Sequence, residues 1–124
     1  MLKISEEVCF MSKRSDAELL QDIEEAITRI IAYTTKMSYG KFLADKKTQD
    51  AVVRNLEIVG EAVKGLSAIL RKKHSSIPWK NIAGMRDRLI HDYSGVNLDI
   101  VWGVVKDELP GLVQEARKIL RGLK

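Results

Sequence analysis

One of the two histidines in this 124-residue sequence stands among groups able to move protons and hold anions. The stretch Arg86-Asp87-Arg88-Leu89-Ile90-His91-Asp92-Tyr93 brings arginines, carboxylates, an imidazole and a phenol into about two helical turns. Imidazole is the side chain best suited to proton transfer near neutral pH. A guanidinium is a permanent, forked cation that fits a phosphate or carboxylate. The same residues also describe an ordinary exposed helix end, with Asp87 and His91 as an i, i+4 pair and His91 complementing the helix C-terminus. On an ideal helix Arg86 and His91 point about 140° apart, whereas Arg86 and Tyr93 nearly align. A long arginine, a frayed helix end or a second subunit has to bring Arg86 and His91 together, and the residues by themselves leave both readings open. His74 follows Arg71-Lys72-Lys73 in a polar connection with nothing nearby to complete a site, and reads as a surface histidine.

The elements that position these groups read as helices. Prolines occur only at Pro78 and Pro110, and alternating apolar runs are scarce. Residues 1–14 show no sustained period and read as a flexible arm, with Met11 as a second candidate start; residues 15–124 read as one helical domain. Ser15 with Glu18 is a capping-box pattern that opens a helix carrying Leu19, Leu20, Ile23, Ile27, Ile30 and Ile31. Ser38-Tyr39-Gly40 interrupts before a short piece around Phe42 and Leu43. A long helix is expected from Lys47 or Thr48, its seam running through Val52, Leu56, Val59, Val63, Leu66 and Leu70. His74-Ser75-Ser76 breaks it. Pro78 then starts a helix through Trp79, Ile82, Met85, Leu89 and Ile90, with Gly95 as its left-handed terminator. Asn97 caps the next helix, and Pro110 is expected to divide that from a last helix, Leu112 to Leu123. The sum is an all-α, up-and-down bundle of about five helices.

Length and composition, 45% hydrophobic and 31% charged, suit one soluble domain, and no window approaches the roughly 18 apolar residues of a membrane span. A single cysteine, Cys9, allows no internal disulfide, and with no signal-peptide core at the start a cytoplasmic location is expected. The net charge of +4 permits an anionic partner without selecting one.

The octet and its surroundings resemble the HepT toxin family, within the wider group of HEPN helical domains. The family motif R-x-x-x-x-H-x-Y is filled by Arg86, His91 and Tyr93. It is flanked at the family's spacing by Ile77-Pro78-Trp79, Gly84-Met85-Arg86 and Ile100-Val101-Trp102. The preceding Arg54-Asn55-Leu56-Glu57-Ile58-Val59-Gly60-Glu61-Ala62 is also like the family, so the likeness runs from about Asp16 to Leu112. Ser94 departs from it, since many relatives carry an aromatic residue there.

The resemblance implies a dimeric, HEPN-like fold and the toxin of a toxin-antitoxin pair: a homodimeric endoribonuclease that cuts tRNA or mRNA with Arg86 and His91. It implies no metal and no cofactor. RNA 2′-hydroxyl attack needs a proton acceptor, a proton donor and a cation for the phosphorane, and these two side chains can supply all three. It further implies that a partner antitoxin, a minimal nucleotidyltransferase, transfers AMP from ATP to Tyr93. Glu57 and Glu61, at i, i+4, repel on an isolated helix. Either Arg54 and Lys64 neutralise them, or Arg54, Asn55, Glu57 and Glu61 orient the motif or line the dimer cleft. The rival readings are a HEPN-type module that binds a nucleotide or a partner without cleaving, and a purely structural bundle. A metal-dependent nuclease fits poorly, because the acids form no convergent ligand set.

Overall fold

The computed structural model describes residues 14–90 and 95–123. The first helix, α1 (Asp16–Thr34), opens as its capping box predicts: the Ser15 hydroxyl accepts the Glu18 N–H at 3.1 Å while the Glu18 carboxylate accepts the Ser15 N–H at 3.0 Å. The Ser15 N–H, and the Ser15 hydroxyl that also donates to this carboxylate at 3.1 Å, hold the Glu18 carboxyl below its ordinary range. Leu20, Ile23, Ala26, Ile27 and Ile30 form its fully buried stripe. Ser38 caps the short α2 (Tyr39–Ala44), whose Phe42 is driven wholly into the core. Asp45 caps α3 (Lys46–Gly65), accepting the Thr48 N–H at 3.0 Å and its hydroxyl at 2.8 Å, and these two bonds lower its pKa.

The long helix starts one residue before the expected Lys47 and stops sooner than its seam suggests. Leu66 leaves α3 in an extended conformation and Ser67 caps a separate helix, α4 (Ala68–Lys73). A tertiary contact supports this break. Asp16, at the start of α1, accepts the Ser67 N–H at 2.9 Å and its hydroxyl at 2.6 Å, so the two helix starts are tied together. The same contact sets α1 antiparallel to α3.

Further on, the single helix expected from Trp79 to Ile90 is two: α5 (Trp79–Ala83) and α6 (Met85–Leu89), parted at Gly84. Ile90 is extended (φ −96°, ψ 126°) and pairs with Val96 in an isolated antiparallel bridge; Asn97 donates its N–H to the Leu89 carbonyl at 2.7 Å. Gly95 takes the expected positive φ (88°), but in the connection rather than at a helix end. Asn97 caps α7 (Leu98–Gly103) as expected, accepting the Ile100 N–H.

Pro110 does not divide the last two helices. α7 passes through a π-helical turn, Val104–Glu108, into α8 (Leu109–Leu123). The Leu109 N–H reaches back five residues to the Val104 carbonyl, and this widened turn lets the helix run on through a residue with no N–H to give. Lys106 approaches the Thr34 carbonyl at the end of α1, and Arg117 pairs with Glu24 at 2.6 Å further up, so α8 also runs antiparallel to α1. Three long helical stretches therefore carry the bundle, with short helices closing its sides. Trp102 fixes α7 to α2 through ring contacts with Phe42 (5.0 Å) and Tyr39 (5.8 Å), under the Lys106 ammonium. Trp79 is pinned by its indole N–H to the His74 carbonyl, so both tryptophans of the family-like flanks serve packing. Among the described residues no helix is long and apolar enough to cross a membrane.

Gly60 is where α3 meets the α5–α6 junction. A Cβ there would stand 3.1 Å from the Met85 Cβ and 3.2 Å from the Ile82 carbonyl oxygen. Gly60→Val is expected to cost about 2 kcal/mol by overpacking, read by denaturant unfolding. The caps give a pH dependence. Asp45 and Glu18 have folded pKa values below their unfolded ones, so their contribution is present above the ordinary carboxylate pKa and is lost as pH falls through the lower folded values. In thermal melts the gap between the parent and an Asp45→Ala, Glu18→Ala variant should narrow as pH falls from 6 to ~2.

Candidate active site

The short helix α6 presents the first half of the motif. Met85 and Leu89, four residues apart, are buried and seat it against the rest of the bundle. That fixes the outward faces for Arg86 and Asp87, both exposed, and leaves Arg88 half-buried at the side.

The two arginines then part company. Arg88 forks onto Glu108 of the π turn, with Nη1 to Oε1 at 3.1 Å and Nη2 to Oε2 at 2.7 Å. These bonds raise its pKa above the ordinary arginine value, against the opposing effect of burial. It is a strut. Arg86 makes no ion pair with any carboxylate among the described residues and is exposed to solvent.

His91 and Tyr93, with Asp92 and Ser94, lie outside the described residues. The structure does settle what flanks them. α6 ends at Leu89 and Ile90 is extended, so the 140° angle of an unbroken helix does not govern Arg86 and His91. The Ile90–Val96 bridge brackets the five intervening residues, and the Asn97 N–H takes the Leu89 carbonyl that the helix leaves unpaired.

The four polar residues singled out on α3 separate into two pairs. Arg54 and Glu57 line a groove of about 420 Å³ whose other wall is Gly95, Val96 and Leu98, the segment that follows the motif. Asn55 is buried, 7% exposed, and its amide donates to the Ala51 carbonyl of its own helix at 2.9 Å. Glu61 is exposed and paired with Lys64 at 3.5 Å, so for this acid the neutralising neighbour is the answer. Lys46, Gln49 and Asp50 also line the groove, and nothing in the motif had drawn attention to them. A signal existed: positions 46, 50, 54 and 57 fall within about 80° on a helix, a charged stripe of alternating sign.

A family model described as Ribonuclease HepT-like matches residues 23–119. Similar curated proteins include one of Thermococcus cleftensis named "Probable ribonuclease HepT", 45% identical over 86% of this chain and 97% of its own. A Methanocaldococcus jannaschii protein whose name marks it as a candidate RNase is 41% identical, covering 92% of this chain and 94% of its own. Another candidate RNase, from Caldanaerobacter subterraneus, is 46% identical over 83% and 88%. No solved structure matches the chain.

The unequal roles of the two arginines can be measured by denaturant unfolding. Arg88→Ala is expected to cost about 0.5–1 kcal/mol, the worth of a well-formed but solvent-screened bidentate pair. Arg86→Ala should stay within about 0.5 kcal/mol of the parent. Equal losses would remove the distinction.

Proposed function

The chain belongs to the HepT-like ribonuclease family, and on that premise we propose that it is a metal-independent endoribonuclease whose catalytic groups are Arg86 and His91. The observation that carries this reading is the division on α6: Arg88 is held by Glu108, and Arg86, the arginine at the motif position, is turned to solvent on the helix that leads into the Ile90–Val96 bridge.

In the proposed reaction neutral His91 takes the proton of an RNA 2′-hydroxyl as that oxygen attacks the adjacent phosphorus. The bond from phosphorus to the 5′-oxygen breaks, and an imidazolium returns a proton to that oxygen. Arg86 binds the phosphate and stabilises the charge that develops on its oxygens, as a Lewis acid otherwise would. The products end in a 2′,3′-cyclic phosphate and a 5′-hydroxyl. DNA, without the 2′-hydroxyl, is spared. A homodimer would place two copies of each group around one cleft, so one histidine can act as base and the other as acid.

The biological setting in this reading is a cytoplasmic toxin acting on tRNA or mRNA and held in check by a nucleotidyltransferase antitoxin. AMP transferred to Tyr93, two residues from His91, sets a bulky anion where RNA phosphate must bind and occupies the cation meant for it.

The test is incubation of protein, shown by intact mass to be unmodified at Tyr93, with mixed tRNA and mRNA in EDTA. Cleavage to cyclic-phosphate ends is expected, with losses of about 10²–10⁴ in Arg86→Ala and His91→Ala. Equal cleavage by the variants, or none by the unmodified parent, overturns the mechanism; the latter turns the reading to a non-catalytic HEPN module that binds a nucleotide or partner.

A further inference from the structure

The groove between α3 and the segment after the motif has a size, a position and a lining that belong together. Its volume of about 420 Å³ lies within the range of small-ligand pockets, about 300–1,000 Å³. Its wall at Gly95 is four residues past His91, so chain length alone keeps that wall within about 14 Å of the histidine. An RNA segment of a nucleotide or two covers that reach.

The lining separates by chemistry. Lys46 and Arg54 supply the cations, suited to phosphate. Val53, Leu98 and the 37%-exposed Val96 offer apolar contact for a base. Among the described residues, the remaining polar side chains of the lining are acceptors. Asp50 and Glu57 accept when ionised. Gln49 donates both hydrogens of its amide nitrogen to the carbonyls of Phe42 (2.9 Å) and Leu43 (3.0 Å), which leaves only its carbonyl oxygen to offer a ligand. A comparable hollow of about 450 Å³ beside α8 offers no cation among its described lining residues, and its two acids, Glu108 and Glu115, are already paired with Arg88 and Lys118.

From this lining we infer that the groove binds one nucleotide of the RNA beside the scissile phosphate and prefers guanine. Guanine presents an imino and an amino N–H side by side on its Watson–Crick edge, the donor pair that the two oxygens of one carboxylate match, and Glu57 offers such a carboxylate one turn along α3 from Val53. Adenine and cytosine set an acceptor beside their amino group, and uracil has a single imino N–H between carbonyls. Arg54 and Lys46 hold the nucleotide's phosphate whatever its base. Taking the nucleotide as part of an RNA substrate rests on the ribonuclease reading; the groove's preference for it does not.

The experiment has two arms. In the first, the intact protein is titrated with the 3′-monophosphates of the four ribonucleosides, followed by backbone amide shifts. Guanosine monophosphate is expected to bind at least about 5-fold more tightly than the others, with shifts centred on Gln49 to Glu57 and Gly95 to Leu98. Glu57→Gln should erase that advantage, and Arg54→Ala should weaken all four nucleotides alike. Thermal melts of both variants show that they fold. Equal binding of the four nucleotides, or shifts elsewhere, overturns the proposal. In the second arm, cleavage sites in a random RNA pool are sequenced. A guanine at one fixed position, lost in Glu57→Gln, supports the groove; cleavage with an unchanged pattern overturns it. Guanosine binding without any cleavage strikes the ribonuclease reading alone.

Discussion

A side chain at Gly60 would meet the Met85 Cβ and the Ile82 carbonyl oxygen at little more than 3 Å, so α3 reaches the α5–α6 junction only because that side chain is absent. Most of what matters for the site follows from this approach. Met85 is the first residue of α6 and neighbours Arg86, and its burial against α3 sets how the short helix is rotated. A five-residue helix has too few internal hydrogen bonds to hold itself. It stays folded because Met85 and Leu89 are clamped from below, Arg88 is tied to Glu108, and the Leu89 carbonyl is taken by Asn97.

The charged residues divide their work in the same way. Arg88, Glu108, Arg117, Glu24 and Asp16 join elements far apart in sequence, and each has its partner in hand. Glu61 is balanced by Lys64 within its own helix. Among the described residues, Arg86 and the stripe Lys46, Asp50, Arg54 and Glu57 stand apart from these pairs and face solvent or the groove walled by Gly95, Val96 and Leu98. Charge that the fold has already spent on cohesion is not available to a ligand, and sorting the spent from the unspent narrows the candidate site more than net charge does.

Much of this was legible in the residues. Ser15 with Glu18, Ser38 and Asn97 are caps because a short side-chain oxygen before an apolar period has one good local use. The apolar stripes of α1 and α3 had to be buried. The motif spacing marked Arg86, His91 and Tyr93. What misled was continuity. Periodicity carried α3 through to Leu70 and one helix from Trp79 to Ile90, since spacing alone does not register a partner that makes a break favourable. Asp16 does this at Ser67 from 51 residues away. Val96 and Asn97 do it at Leu89 and Ile90. Pro110 misled in the other direction, because the π turn before it absorbs what an α-helix cannot.

The sequence by itself determined the all-helical class, the helix starts, the core faces and the identity of the motif, all properties fixed by local hydrogen bonding and by the 3.6-residue period. Tertiary structure decided which arginine is a strut and which is exposed. It also decided where α6 ends, and that Arg54 and Glu57 share a groove with Val96 while Asn55 and Glu61 do not. Those outcomes depend on contacts between residues distant along the chain, where a few ångströms between helices choose the partner, and no local pattern encodes that distance.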